Sequence, residues 1–235
     1  PGASERAGRT IYLKRSLLAA AGILSLQTMR HPLAMARVWF AAVRSGGGHA
    51  KRTLRRLAHL AQAALVARQC AAQDIERLHA HFGLAPATIA WLASEISTAQ
   101  GRRCAFSFTI HGFHDFVDRD EARLDLKAAA AREVVCISDF TRSQLCLFSD
   151  PALWQRYRVV RCGVDLAAFS YRDPRPLDGD AVLLAVGRLS PEKGLGVLIE
   201  AVAQLRRDGI GVRLRLVGDG PQRAALAEQA QAAGI

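Results

Sequence analysis

The chain has 235 residues, half of them apolar, with 32 Lys and Arg against 21 Asp and Glu for a formal net charge of +11. That length holds one large cored domain or two smaller ones. The five cysteines (70, 104, 136, 146 and 162) include no CxxC pair and no histidine stands at ligand spacing, which argues against a disulfide framework or a zinc site and for reduced thiols in a cytosolic protein. The longest apolar run, Ser16 to Met29, is shorter than the roughly 20 residues a membrane-spanning helix needs. The chain opens at Pro1 without a methionine and stops at Ile235, so it reads as a piece of a longer protein; no signal peptide is visible.

Charge is placed unevenly. No Asp or Glu occurs from Arg6 to Gln73, where Arg6, Arg9, Lys14, Arg15, Arg30, Arg37, Arg44, Lys51, Arg52, Arg55, Arg56 and Arg68 all fall. Such a field attracts anions. Segment 6–73 therefore has two readings of equal weight: a solvated face of amphipathic helices, or a peripheral docking surface for an anionic membrane. Nucleic acid is a poor third, because no aromatic stacking pattern accompanies the cations.

Residues 11–44 and 51–72 read as helices separated by Gly46-Gly47-Gly48. In the second, Leu54, Leu57, Ala58, Ala61, Leu65 and Ala72 follow helical spacing and are the expected core face. Strands and helices then alternate. "RLHAHF" is a strand, "APATIAWLASEIS" a helix with Ile89, Leu92, Ala93 and Ile96 on one face, and "CAFSFTIHG" a strand ending at glycine. "EARLDLKAAAA" is a helix, "EVVCIS" a strand, "DFTRSQLCLF" a helix capped by Ser138 or Asp139, and "YRVVRCGVD" a strand. Residues 169–180 are polar and rich in Pro and Asp, as an interdomain crossing is; beyond them come strand 181–186, a helix over about 194–207, strand 212–217 and a helix over about 221–233. This alternation implies parallel βαβ units. The expected domains are 1–170 and 171–235.

The corner "VGRLSPEKGLG" joins the strand 181–186, apolar on both faces, to a helix. Ligands of open α/β sheets bind beyond the carboxyl ends of such strands. Gly187 permits close approach, the helix start supplies free N–H groups, and Arg188 and Lys193 add two cations, an array suited to a diphosphate. The competing reading is a capped turn, with Ser190 as cap, Pro191 in the first turn and the cations merely solvated. The second strand ends in Gly218-Asp219-Gly220-Pro221; Gly218 and Gly220 are weaker candidates for nucleotide contact, because a dinucleotide fingerprint would need a third glycine at Arg223.

The stretch Val182–Ile235 resembles the retaining glycosyltransferases of family 4, which have the GT-B fold. "HAHFG", "FTIHGFHDF", "CISDFTRSQL" and "VVRCGVDLAAF" resemble the N-terminal domain of members that build exopolysaccharides, including colanic-acid-type transferases. The resemblance implies an α/β, GT-B-like fold: two Rossmann-like domains facing a cleft, the second truncated. It implies that Arg188 and Lys193 hold the diphosphate of a nucleotide sugar and that His111, after the T-x-H-G strand, faces the transferred sugar. His114, Asp115, Ser138 and Arg142 are the acceptor-side candidates, with loop capping the alternative for His114 and Asp115 and helix capping the default for Ser138; His79 and His81 lean structural. The implied reaction moves a sugar from a nucleoside diphosphate to a glycan or lipid-linked acceptor with retention, in the cytoplasm or at the inner face of the plasma membrane, without a metal or other cofactor. The family's paired C-terminal glutamates and its first glycine-rich loop have no counterpart between Pro1 and Ile235. Two rival functions stay open: a non-catalytic nucleotide- or glycan-binding remnant, and a nicotinamide-dependent oxidoreductase.

Overall fold

The computed structural model describes Thr10, residues 17–173 and residues 179–235. Arg6, Arg9, Lys14, Arg15, the start of the first expected helix and residues 174–178 of the polar crossing lie outside the described residues. The chain forms two compact units, Pro1–Val164 and Asp165–Ile235.

Among the described residues the first unit opens with α1 (Leu17–Arg30), α2 (Pro32–Ser45) and α3 (Ala50–Ala72). The single helix expected over 11–44 is thus two helices, because Pro32 lacks an N–H and its ring would clash one turn back; it serves as the first residue of α2 instead. Trp39 Nε1 donates to Thr28 Oγ1 (3.1 Å), which fastens α2 to α1.

The buried face of α3 also differs from the expected one. Arg56, His59, Leu60, Ala63, Ala64, Ala67 and Cys70 face inward, while Leu54 is 71% exposed. Alanines at 63, 64 and 67 let neighbouring helices approach closely, and Leu24, Met35, Val38, Leu92 and Ile96 fill the space against them. Packing of small residues chose this face over the leucine stripe.

Arg56 is buried because Glu121 meets it: Arg56 Nη1 lies 3.2 Å and Arg55 Nη1 2.9 Å from Glu121 Oε1, and Arg56 Nη2 also donates to the Glu121 carbonyl. Arg52 pairs with Asp120 at 3.2 Å. Much of the cationic start of α3 is therefore paired within the fold, with Arg56 alone fully buried. Beside these charges, burial first and Arg56 second push His59 down to about 4. The folded unit then resists protonation while the unfolded chain takes a proton near pH 6.5, so this contribution to stability falls as pH drops from 6.5 towards 4. His59→Leu is expected to flatten that part of the thermal-denaturation profile against pH.

The sheet of the first unit is parallel, in the order β1 (Arg77–His81), β2 (Ala105–Ile110), β3 (Glu133–Cys136), β4 (Tyr157–Val159). Between the strands run α4 (Ala85–Ala99), the short α5 (His114–Val117), α6 (Arg119–Ala122) and α7 (Leu124–Ala130), and then α8 (Asp139–Cys146). Helix α4 serves two cores. Leu92, Ala93 and Ile96 pack towards the helical layer, while Ala87, Ala90 and Trp91 pack with Phe106, Phe108 and Ile110 of β2 and Val134 of β3. The central strands β2 and β3 are the ones covered by apolar side chains, as the inner strands of a parallel sheet are, whereas β1 at the edge is largely exposed. Strand β4 is shorter than the expected 157–165.

In the second unit β5 (Ala181–Val186) pairs in parallel with β6 (Val212–Val217), residue for residue over both expected strands. α9 (Leu195–Arg207) and α10 (Arg223–Ala232) pack Ile199 and Leu226 with Leu189, Leu214 and Leu216. Val182, Leu184 and Val186 are exposed. Cys70, Cys104 and Cys136 are buried, and all five cysteines are unbonded.

Candidate functional site

In the second unit, the corner after β5 is a 3-10 turn, Pro191–Lys193, followed by Gly194 in the left-handed region (φ 62°), so α9 itself starts only at Leu195. Ser190 does not cap a backbone N–H; its hydroxyl donates to Glu192 Oε1 at 2.6 Å. The turn is closed by backbone bonds from Lys193 N to Ser190 O (3.0 Å) and Gly194 N to Pro191 O (3.1 Å). Arg188 and Lys193 thus leave one tight loop at the carboxyl end of β5, and both are exposed. Arg188 Nη1 stands 3.8 Å from Glu192 Oε1, with the arginine side chain 72% exposed. An exposed pair at that distance holds the guanidinium by about 1 kcal/mol or less.

The loop after β6 is zipped onto this one. Gly187 N donates to Val217 O, Leu189 N to Asp219 O and Gln222 N to Leu189 O, at 2.9, 2.9 and 3.0 Å. Gly218, at φ 151°, and Gly220 are the residues that allow it: a Cβ at Gly218 would run into the Gly187 carbonyl, and one at Gly220 into the Leu189 backbone. The two glycines that stood as nucleotide candidates therefore have a defined packing duty, which sets the shape of the cationic corner.

In the first unit, the candidate centre lies at the carboxyl ends of β1 and β2. His111 is half-buried, and its Nε2 is 2.7 Å from His81 Nδ1. Such a bond needs one nitrogen with a proton and one with a lone pair. His79 Nδ1 and Nε2 sit 2.8 Å from the hydroxyls of Ser107 and Thr109 respectively. Phe82, a non-glycine residue at φ 72°, lays its ring 4.7 Å from that of His111. The left-handed backbone costs about 1 kcal/mol or more, so the surrounding contacts must hold it.

Asp115 does much of that holding. It is 2% exposed; Oδ1 accepts from Gly83 N (2.8 Å) and Oδ2 from His111 N (3.2 Å). Burial first, opposed by these two bonds, raises its pKa. A Cβ at Gly83 would meet Leu124 Cδ2 at 2.8 Å, so any larger residue there would have to displace the Leu124 side chain. From the other side, buried Lys127 donates through Nζ to the carbonyls of Gly83 (2.6 Å) and Leu84 (3.1 Å), and burial lowers its pKa to about 7.

Of the two roles open to Asp115, acceptor contact or capping of the loop, the structure shows the second: its carboxylate lies under the loops and ties the ends of β1 and β2 together. His114 is exposed, its ring 4.1 Å from that of Phe113. Ser138 forms a reciprocal capping box with Thr141 at the start of α8, the default expected for it, and Arg142 is exposed on that helix. Next to Asp115 a cavity of about 430 Å³ is lined by Phe116, Arg119, Arg123, Leu147 and Phe148, with the Arg119 guanidinium 3.8 Å above the Phe148 ring.

His81, expected from its period-two spacing with His79 to be structural, stands against His111. Lys127 and the Arg119–Phe148 pair have no counterpart among the expectations; a lysine inside the apolar run "LDLKAAAA" was the available signal for Lys127. Among the described residues no group of three or more His, Cys, Asp or Glu could hold a metal ion. No helix among them is long and apolar enough to cross a membrane.

Comparison with known proteins adds a family to this geometry. Residues 170–235 match the model described as "Glycosyl transferases group 1". A glycogen synthase of Mycobacterium tuberculosis (strain ATCC 25618 / H37Rv) is 42% identical over 73 residues, which is 31% of this chain and 18% of that protein. The putative colanic acid biosynthesis glycosyltransferase WcaL of Escherichia coli (strain K12) is 39% identical over 88 residues, 36% of this chain and 20% of its own length. The chain therefore spans about a fifth of the curated relatives it matches. In fold it is similar to the GT-B structure of TarM, with a TM-score of 0.56 at 14% identity over 73% of this chain and 34% of that one. A mutant TarM of S. aureus, solved in complex with Fondaparinux, alpha-GlcNAc-glycerol and UDP, gives 0.52 at 13% identity over 74% of this chain and 34% of its own.

Proposed function

Residues 170–235 form a domain of the glycosyl transferases group 1 family, and from that premise we propose that the whole protein moves a sugar from a nucleoside diphosphate to a hydroxyl of a glycan or lipid-linked acceptor, with retention at the anomeric carbon, in the making of a cell-surface or extracellular polysaccharide. The observation that carries the proposal is the loop 187–194: two exposed cations on one tight turn beyond a parallel strand, backed by a second loop bonded to it.

As the bond from the anomeric carbon to the diphosphate breaks, its electron pair leaves with the phosphate oxygen. Arg188 and Lys193 neutralise the charge that builds there, and the N–H groups at the start of α9 border the same corner. These cations let the step proceed without a metal ion. His111 faces the transferred sugar in this reading. With His81 Nδ1–H donating to His111 Nε2, the proton of His111 sits on Nδ1, where it can donate to a sugar hydroxyl. His114 and Arg142, both exposed, are the acceptor-side candidates. The work takes place in the cytoplasm.

WcaL carries colanic acid biosynthesis in its name and one TarM structure holds UDP and glycan ligands, both of which support this class of donor and acceptor. The test is full-length protein incubated with a panel of UDP-, GDP- and ADP-sugars, reading released nucleoside diphosphate and the linkage formed. Release with one donor and an α-linked product from an α-donor is the expected result. NADH binding without release from any nucleotide sugar would overturn the proposal.

A further inference from the structure

Helix α2 is apolar on two opposite sides. Met35, Val38 and Ala42 are buried against the helical core. On the far side Leu33, Arg37, Phe40 and Arg44, spaced i, i+4, i+7 and i+11, form one line along the helix. Leu33 is 88% exposed and Phe40 66% exposed, Val43 flanks them, and both arginines are exposed. Met29 (79% exposed) and Arg30 continue the same composition at the end of α1.

Water is a poor partner for that line. An exposed Leu alone needs no explanation, but a phenylalanine and a leucine on one helix line, interleaved with arginines, do. Arg52, Arg55 and Arg56 of α3 are engaged by Asp120 and Glu121, whereas Arg30, Arg37 and Arg44 make no ion pair among the described residues. Charge complementarity then chooses the occupant. A second copy docked face to face about a two-fold axis would set Arg37 and Arg44 against their own counterparts. Nucleic acid would match the cations and leave Leu33 and Val43 without a partner. An anionic bilayer matches both: the apolar side chains enter the acyl boundary while the arginines reach up to phosphate groups along their own stems.

We propose that the outer face of α2 (Leu33, Arg37, Phe40, Val43, Arg44) is a monotopic docking surface for anionic phospholipid, with the helix lying in the plane of the interface. The docking stands apart from the transferase reading, since it needs no nucleotide sugar and involves none of the residues assigned to donor binding.

The full chain is sedimented with vesicles of phosphatidylcholine alone and of phosphatidylcholine mixed with phosphatidylglycerol, in the absence of nucleotide sugar. Wild type is expected to pellet with the anionic vesicles only. Leu33→Ser/Phe40→Ser and Arg37→Gln/Arg44→Gln are each expected to weaken that binding about tenfold or more, with unchanged melting temperature because all four side chains are exposed. Equal binding to both compositions, or to neither, would overturn the proposal. So would loss in the arginine variant without loss in the Leu33/Phe40 variant, which is surface attraction without insertion. A concentration-dependent dimer abolished by the Leu33/Phe40 variant would assign the face to a second copy instead.

Discussion

Arg188→Ala and Lys193→Ala, made singly in the full-length protein, are each expected to lower turnover with the preferred nucleotide sugar at least a hundredfold, while leaving the melting temperature where it was. A hundredfold is about 2.7 kcal/mol of barrier. One charge-assisted bond to a phosphate oxygen supplies about 1.5–3 kcal/mol, and the demand grows as charge collects on the leaving group. The fold has little stake in either side chain. Both are exposed, and the 3.8 Å contact of Arg188 with Glu192 is too loose and too wet to matter for stability. Arg188→Lys should recover part of the loss, since it keeps the charge but not the two-pronged donor. Wild-type kinetics in either alanine variant would remove the diphosphate assignment; a fall in melting temperature with normal kinetics would make the corner a structural turn.

The sequence made the second unit easiest to read. Strand 181–186 is a short apolar run and 212–217 an alternation of apolar residues with arginine, stopped by Gly187 and Gly218, and the structure ends them at those glycines. The cationic corner was equally open, because a charge placed where a turn could be neutral leaves a mark in the composition. Helix α3 was read on the wrong face for a physical reason. Hydrophobic spacing weighs leucine above alanine, whereas this interface is built from Ala63, Ala64 and Ala67, where smallness rather than apolar area decides. The clamp around His111 was hidden differently. Asp115 binds two backbone N–H groups, one of them 32 residues away at Gly83, and a backbone partner has no residue type to recognise. Lys127 likewise spends its ammonium on carbonyls. Bonds to the main chain become visible only once the strands are aligned.

That clamp carries the second large effect. Asp115→Ala leaves the buried N–H groups of Gly83 and His111 without an acceptor and removes a carboxylate that favours the charged form of Lys127. Together these losses are expected to cost about 3–5 kcal/mol and lower the melting temperature by about 10 °C. Asp115→Asn keeps one acceptor but turns an amide donor towards the other N–H, so about half the loss should return. The pH profile separates the two partners. Burial lowers Lys127 to about 7, so above that pH the folded unit has given up a proton that the unfolded chain retains up to 10.5. Stability from this group therefore rises between pH 7 and 10.5, by at most about 1.4 kcal/mol per pH unit, and Lys127→Met should lack the rise. Asp115, whose pKa is raised chiefly by burial, acts with the opposite sign: its share of stability declines as pH climbs just above the ordinary carboxylate range. Because Asp115 holds the backbone of His111, its alanine variant should also lose turnover at temperatures well below its melting point, where the fold is intact but the imidazole is no longer aimed. Asp115→Ala that melts and turns over like wild type would mean that the Phe82–Gly83 and His111 loops are set by something other than this carboxylate.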